Sequence, residues 1–482
     1  MAASHLLLPL PFSVSMNTKF SPVSSFPNPN RRFNPKISFL TNQLGISLPN
    51  FRTKTTSCLN LTLANAQFRT PATLRELCQG HVPEPVLCRM DEYGFVTPTE
   101  VQQQALPVLF TGRDCVLHAQ TGSGKTLTYL LLVYSIINAQ RSAVRALIVV
   151  PTRELGMQVT KIARMLAAKP ADFGPEQQKS CTVMALLDGG MLKRHRTWLK
   201  ADPPTLVVAT VASLCQMLEK RVFDLGAMKV LVIDEVDFMF NSSKQGSYLR
   251  KLLTSYSSCH SRQTIFASAS IPQHRHFLYD CVQQKWTKSN VVHVHVNQVE
   301  PMPSRFHHRC MICPKNQRFQ AIATLLRLDL PKSAILFVNE QSEKSKRAGE
   351  MPTSTRLIDF LKSSCEEFSN IPLLEEDQNF NSRAASLLEV REKSCYLIVA
   401  TDLAARGVDL PETTHIYNFD LPKSAVHYLH RAGRAGRKPF SEDKCIITSI
   451  LAPEEHFVLQ RFENELKFHC EELTLSDLRL NV

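Results

Sequence analysis

The first 75 of the 482 residues contain no aspartate and no glutamate, although the chain's average would place about seven there. The same stretch carries eight Lys and Arg residues, so most of the net charge of +13 originates in it. The other 407 residues hold 48 basic against 43 acidic side chains, and this body is only mildly basic. Long apolar runs are missing too. The longest, Leu127 to Ile137, is well short of the roughly 18 residues of a membrane-spanning helix, so no membrane partner is expected. The fourteen cysteines form no closely spaced framework. Cys310 and Cys313 stand near each other, but the next, Cys365, is too distant for a zinc ribbon, and His307 and His308 alone do not complete a ligand set. The cysteines read instead as small core residues in a reducing compartment.

What remains is a chain with 44% apolar residues and a mean hydropathy of −0.13, long enough for two or three globular domains. Up to about Asn65 it is rich in Ser, Pro, Asn and Phe and has no helical or strand period. That composition fits an organelle transit peptide better than a secretory signal, since the run Leu6–Leu10 has no charged region before it and no small-residue cleavage site after it. The opening Met-Ala-Ala-Ser leans towards the chloroplast, with the mitochondrion as the alternative. A disordered basic tail is the other reading.

Beyond Asp114, short apolar runs recur between Gly, Pro or polar residues: Cys115–Ala119, Ala146–Val150, Leu206–Ala209, Val230–Ile233 and Thr264–Ala267. A second series follows at Ala334–Val338, Tyr396–Ala400, His415–Phe419 and Cys445–Ile447. Unbroken runs of this length, spaced by helix-sized segments, predict parallel strands buried on both faces, hence two α/β domains. Ligands of such sheets bind beyond the carboxyl ends of the strands, and there the chemically loaded residues stand. The stretch Val292–Arg309, with Pro301 and Pro303, is the candidate linker.

The strongest of these ends is Ala119-Gln120-Thr121-Gly122-Ser123-Gly124-Lys125-Thr126, between a strand and an apolar helix beginning near Leu127. The spacing is that of a P-loop with Ala in the first glycine's place. Its backbone N–H groups and helix N-terminus would cradle phosphate, Lys125 would reach the β- and γ-phosphates, and Thr126 would ligand Mg²⁺. The matching acids follow the strand Val230–Ile233. Asp234 would hold the hydrated Mg²⁺, and Glu235 would orient or deprotonate an attacking water.

Asp234-Glu235-Val236-Asp237 resembles the signature of DEAD-box ATP-dependent RNA helicases. Other motifs agree in order and spacing: Gly94-Phe95, Pro98-Thr99 and Gln102; Pro151 to Leu155; Gly189-Gly190; Ser268-Ala269-Ser270; Thr401 to Asp409; and His430 to Arg437. The resemblance runs from about Leu74 onward and points to a plant member directed to plastids. It implies two tandem RecA-like domains, each a mostly parallel sheet flanked by helices, after a disordered N-terminal extension. We expect the extension at 1–65, the ATP-binding domain at 66–296, a linker at 297–310 and the C-terminal domain at 311–482.

The resemblance also implies roles. Gln102 would read the adenine edge and Asp409 the ribose. Arg434 and Arg437 would reach the γ-phosphate as arginine fingers when the domains close. Asp237 would link the ATP site to Ser268 and Ser270, and Arg153, Gly190, Arg383 and Thr401 would touch the RNA backbone without reading sequence. The cofactors are ATP and Mg²⁺, and the protein would act as a monomer on RNA, with ribonucleoprotein partners choosing the target. The activity implied is RNA-stimulated ATP hydrolysis coupled to local unwinding or remodelling; the alternative is an ATP-gated RNA clamp or scaffold with little unwinding.

Four departures from the family pattern stand out. Leu74 or Leu77 occupies the place of the aromatic that stacks on adenine. Thr210-Val211-Ala212-Ser213 replaces Thr-Pro-Gly-Arg. Phe380 stands where a Gln would precede Arg383, and roughly Ser342–Thr355 is an insertion.

Overall fold

A strand such as Ala146–Val150 has no polar side chain, and its residues alternate between two cores: Ala146, Ile148 and Val150 face one, Leu147 and Val149 the other. Both faces therefore need cover, which helices provide. The computed structural model describes residues 73–137, 143–170, 181–187, 192–220, 225–255, 262–271, 277–296, 302–364, 370–375, 378–392, 395–402, 410–436 and 444–474. The expected N-terminal extension lies outside them.

The first sheet contains β1 (Cys115–His118), β2 (Ala146–Val150), β3 (Val183–Leu186), β4 (Leu206–Thr210), β5 (Val230–Asp234), β6 (Gln263–Ser268) and β7 (Val292–His295). Their order is β3-β4-β2-β5-β6-β1-β7, and every pairing is parallel. The helix Lys125–Ile136 covers one face through Tyr129, Leu130 and Val133, and Ser243–Ser255 covers the other through Leu249, Leu252 and Leu253.

The second sheet contains β8 (Phe306–Ile312), β9 (Ser333–Phe337), β10 (Leu373–Leu374), β11 (Tyr396–Ala400), β12 (His415–Asn418), β13 (Cys445–Leu451) and β14 (Cys470–Leu473). It is also parallel, in the order β10-β11-β9-β12-β13-β8-β14. Tyr428 and Phe462 pack on one face with Ile398, and Leu325 and Leu361 on the other with Leu397. These are the two tandem RecA-like domains expected from the sequence. Among the described residues, no helix is long and apolar enough to cross a membrane.

The connection between the lobes is shorter than expected. Val292–His295 and Phe306–Ile312 are both strands, so both ends of the candidate linker belong to the sheets. Val296 still packs in the first core and Met302 already in the second, so the second lobe begins before residue 311. Alternation with histidine hid β7, and Arg309 interrupted β8. That arginine is tolerated because Asp329 pairs with it, Nη2 to Oδ2 at 2.6 Å. The apparent insertion is ordered: Ser342 caps a short helix, Glu343–Arg347, a turn at Gly349 (φ 68°) follows, and the next helix is Thr353–Ser364.

Candidate nucleotide site and the contacts between the lobes

The chain leaves β1 through a tight loop and enters the helix at Lys125, two residues earlier than expected. Gly124 takes φ 95°, and a Cβ there would meet Gln102 Nε2 at 2.9 Å, so both conformation and space require glycine. Gln102 is held in place by its own helix start, its Oε1 accepting from Thr99 N at 2.8 Å. The loop also draws Lys125 inward. Its buried amine donates to the carbonyl oxygens of Ala119 (2.6 Å) and Gln120 (2.8 Å), while Ser123 Oγ donates to Gln120 O at 2.7 Å. Burial lowers the pKa of Lys125, and the charges of Glu235, Asp234 and Asp237 oppose that shift.

β5 delivers the acids. Glu235 sits in the left-handed region at φ 51° and ψ 48°, a sharp bend between strand and helix that leaves Asp234 and Glu235 together at the sheet's carboxyl edge. Asp234 Oδ1 accepts from Glu235 N at 3.0 Å, and Tyr129 Oη donates to Oδ2 at 2.9 Å. Burial and the neighbouring Glu235 charge push the Asp234 carboxyl up to about 6, against the pull of Lys125 and of the Tyr129 hydroxyl. A cavity of ≈ 560 Å³ opens here, lined by Gln102, Thr121, Gly122, Gly124, Lys125, Thr126, Asp234 and Glu235. Arg434 of the second lobe lines it too. Leu74 and Phe95 add apolar wall to the cavity, and Leu77 does not line it.

Contacts between the lobes gather at this edge. Asp237 accepts from Ser268 Oγ at 2.6 Å and from Ser270 Oγ, and its Oδ2 lies 2.8 Å from His430 Nε2. Thr121 Oγ1 donates to Gly433 O at 3.0 Å, an approach so close that a Cβ on Gly433 would lie 1.9 Å from that hydroxyl. Arg383 pairs with Glu154, Nη2 to Oε1 at 2.8 Å, both largely buried.

The fold therefore brings together the loop Ala119–Thr126, Gln102, Asp234, Glu235 and Arg434, and separately Asp237 with Ser268 and Ser270. Gly190, Asp409 and Arg437 lie outside the described residues. Arg153 opens the helix Arg153–Ala167 and is partly exposed. Arg383 and Thr401 differ from expectation. Arg383 is 8% exposed and committed to Glu154, and Thr401 is fully buried with its N–H donated to Leu374 O at 3.0 Å, so neither side chain offers an open face to RNA in this arrangement.

The sequence reading missed Tyr129, His430 as the partner of Asp237, and Arg431. Arg431 is fully buried and braces the second lobe, Nε to Asp402 Oδ1 at 2.6 Å and Nη1 to Asp420 O at 2.7 Å. A tyrosine within the apolar run after Lys125, and two basic residues in an otherwise buried helix, were the available signals.

Two parallel α/β lobes, with the loop Ala119–Thr126 of one and an arginine of the other facing the same cavity, define the tandem RecA-like class. The profile of the DEAD/DEAH box helicase family matches residues 99–277, and that of the helicase conserved C-terminal domain matches residues 317–439. The chain is 64% identical over 405 residues to DEAD-box ATP-dependent RNA helicase 58, chloroplastic, of Arabidopsis thaliana, covering 84% of this chain and 85% of the relative. It is 63% identical to the protein of the same name from Oryza sativa subsp. japonica, covering 84% and 90%. Among solved structures, S. cerevisiae Dbp5 bound to RNA and ADP BeF3 superposes with a TM-score of 0.69 at 20% identity, covering 85% of this chain and 97% of that one. Mss116 bound to ssRNA and UDP-BeF gives a TM-score of 0.70 at 20% identity, covering 85% and 83%; both likenesses concern the fold. The chain belongs to the DEAD-box ATP-dependent RNA helicase family, and is an ATP-hydrolysing enzyme.

Proposed function

We propose that this protein uses ATP hydrolysis to separate or remodel short RNA duplexes in the chloroplast. The observation that carries the reading is the cavity that Lys125, Asp234 and Glu235 share with Arg434 of the other lobe. Phosphoryl transfer needs positioning and charge neutralisation more than covalent help from the protein, and this cavity offers both from opposite sides. Lys125 would exchange the two carbonyls it now holds for phosphate oxygens. The loop's N–H groups and the helix start at Lys125 complete the anion cradle.

The hydroxyl of Thr126 and the carboxylate of Asp234 are hard oxygen donors suited to Mg²⁺. Mg²⁺ bound with ATP would neutralise the β- and γ-phosphate oxygens. Glu235 Oε2 and His430 Nδ1 are buried 3.6 Å apart, neither with a hydrogen-bond partner, which suits a polar guest such as the attacking water. Glu235 would orient that water, and Arg434 would meet the charge developing on the transferring group.

RNA enters through the family and through the RNA-bound relatives of the same fold, and the plastid through the relatives named chloroplastic. Residues 1–65 would be the transit peptide; a fusion of Met1–Leu63 to a fluorescent reporter should accumulate in plastids, and a cytosolic signal would remove that assignment. The rival activity is an ATP-gated clamp, favoured by the Arg383–Glu154 pair, which holds the lobes together while leaving one expected RNA contact occupied. Phosphate release measured with and without RNA, beside strand separation of a short duplex, tests the proposal. RNA-stimulated turnover with duplex separation is the expected result. Stimulated turnover without separation selects the clamp, and no stimulation by RNA overturns both.

A further inference from the structure

β7 is the edge strand of the first sheet, and its sequence Val292-His293-Val294-His295 sends alternate side chains to opposite faces. Val292 and Val294 face the core shared with Leu117, so His293 and His295 project together from the other side. In the parallel register His118 of β1 lies beside His295, which adds a third imidazole to that face. The ring centroids are 3.8 Å apart for His118 and His295, 5.4 Å for His293 and His295, and 5.6 Å for His118 and His293. One nitrogen from each ring lies within 4.8 Å of the other two. His118 Nδ1 is buried with no hydrogen-bond partner, which leaves it open to a ligand. None of the three side chains lines the nucleotide cavity.

We propose that His118, His293 and His295 are the protein ligands of a divalent transition-metal site whose occupant is Zn²⁺. Imidazole nitrogens suit late first-row ions, and three of them with a water in the fourth position form a tetrahedral zinc site. At Zn–N distances of about 2.0–2.1 Å the nitrogens would stand about 3.4 Å apart. The rings must therefore turn out of their parallel stack and close in by at most about 1.4 Å, which two side chains on a sheet edge can do by rotation about χ2. The neutral form that binds metal is already favoured: burial and the proximity of the other two rings push His118 down to about 3, and burial lowers His295. The opposing charge nearby is Lys125. An ion here would fasten the edge strand that leads into the interlobe connection to β1, whose next residues are the phosphate loop.

The test uses the full chain stripped with a chelator, titrated with Zn²⁺ by calorimetry and with Co²⁺ by visible absorption. We expect one site whose Co²⁺ spectrum has ligand-field bands but no thiolate charge-transfer band. Substitutions of outer-shell partners cost about 10–100-fold in metal affinity, and loss of a ligand should cost at least as much. His118→Gln and His293→Gln should each weaken Zn²⁺ by about 100-fold. His293 is exposed, so its variant retains the fold. Unchanged affinity in His293→Gln, a thiolate band, or no saturable binding by the parent protein would overturn the assignment and leave three stacked neutral histidines.

Discussion

Arg383 and Glu154 belong to different lobes, yet the guanidinium Nε and Nη2 both lie 2.8 Å from the same carboxylate oxygen, Oε1. At 8% and 9% exposure the two charges are shielded from water, so each needs the other. Removing one partner of a buried pair costs about 3–5 kcal/mol, largely because the remaining charge is stranded. Separation of the lobes would relieve that cost by returning the charge to water. Glu154→Gln should therefore lower the closed fraction at least about tenfold, read by fluorescence transfer between dyes on the two lobes. The exchange Glu154→Arg with Arg383→Glu should recover part of the loss. Equal transfer in parent and Glu154→Gln would mean that the pair does not govern closure.

Arg434 and Lys125 meet the same cavity from opposite lobes and should fail differently. Arg434→Ala should keep ATP affinity within a few-fold and reduce turnover by about 10³-fold or more, because an arginine finger acts mainly on the transition state. Lys125→Ala should weaken ATP binding as well as abolish turnover, while the melting temperature stays close to the parent's. Fluorescent-nucleotide titration beside phosphate release separates the two patterns. Parallel losses of binding and turnover in Arg434→Ala would assign that arginine to the ground state.

Tyr129 fixes the carboxylate of Asp234 from within the helix that starts at Lys125, Oη to Oδ2 at 2.9 Å. Burial keeps the phenol protonated and able to donate. A hydrogen bond to a charged acceptor contributes about 1.5–3 kcal/mol, and here it would hold the carboxylate in the rotamer that faces the phosphates. Tyr129→Phe preserves the ring and its packing. The variant should need about tenfold more Mg²⁺ for half-maximal ATP hydrolysis, with little change in thermal stability. A lower Mg²⁺ requirement would mean that the hydroxyl competes with metal-bound water instead of orienting the acid.

How much of this was legible in the chain depended on where each residue sits in the sheets. Central strands such as Val230–Asp234 are buried on both faces and announce themselves as unbroken apolar runs. Edge strands do not. Val183–Leu186 is half-buried at alternate positions, Val292–His295 alternates with histidine, and Cys470–Leu473 carries two glutamates. The loop Ala119–Thr126 and the Asp234-Glu235 pair, which the fold places around one cavity, were readable because each motif is local in sequence. The contacts of Asp237 with His430, and of Glu154 with Arg383, span 193 and 229 residues and depend on the packing of two separate sheets. No spacing rule reaches that far. Resemblance supplied the motifs, but not the burial that takes Arg383 off the open surface.

An altered motif, Thr210-Val211-Ala212-Ser213, stands at the end of β4. The helix Val211–Glu219 starts directly after the strand, as the sequence suggested. Free N–H groups at such a start can meet a phosphate whatever the side chains are. Thr210 Oγ1 donates to Ser213 Oγ at 3.0 Å, and Ser213 is nearly buried, so this turn is closed on itself and presents no charge. Ala212, by contrast, is exposed. Combining Val211→Pro, Ala212→Gly and Ser213→Arg restores the pattern this turn resembles. Proline at the first helical position sacrifices no intrahelical hydrogen bond, glycine lets the backbone approach, and the long arginine stem can carry its charge out of a nearly buried site. Loss of the Thr210–Ser213 bond should cost about 1 kcal/mol of stability. RNA affinity should nevertheless rise, and the dependence of log affinity on log salt should steepen by about 0.7–1, the increment for one added phosphate contact. RNA titrations at several salt concentrations measure both quantities. Should slope and affinity both stay at the parent's values while the variant remains folded, this helix start does not face RNA, and the nucleic acid must cross the first lobe by another path.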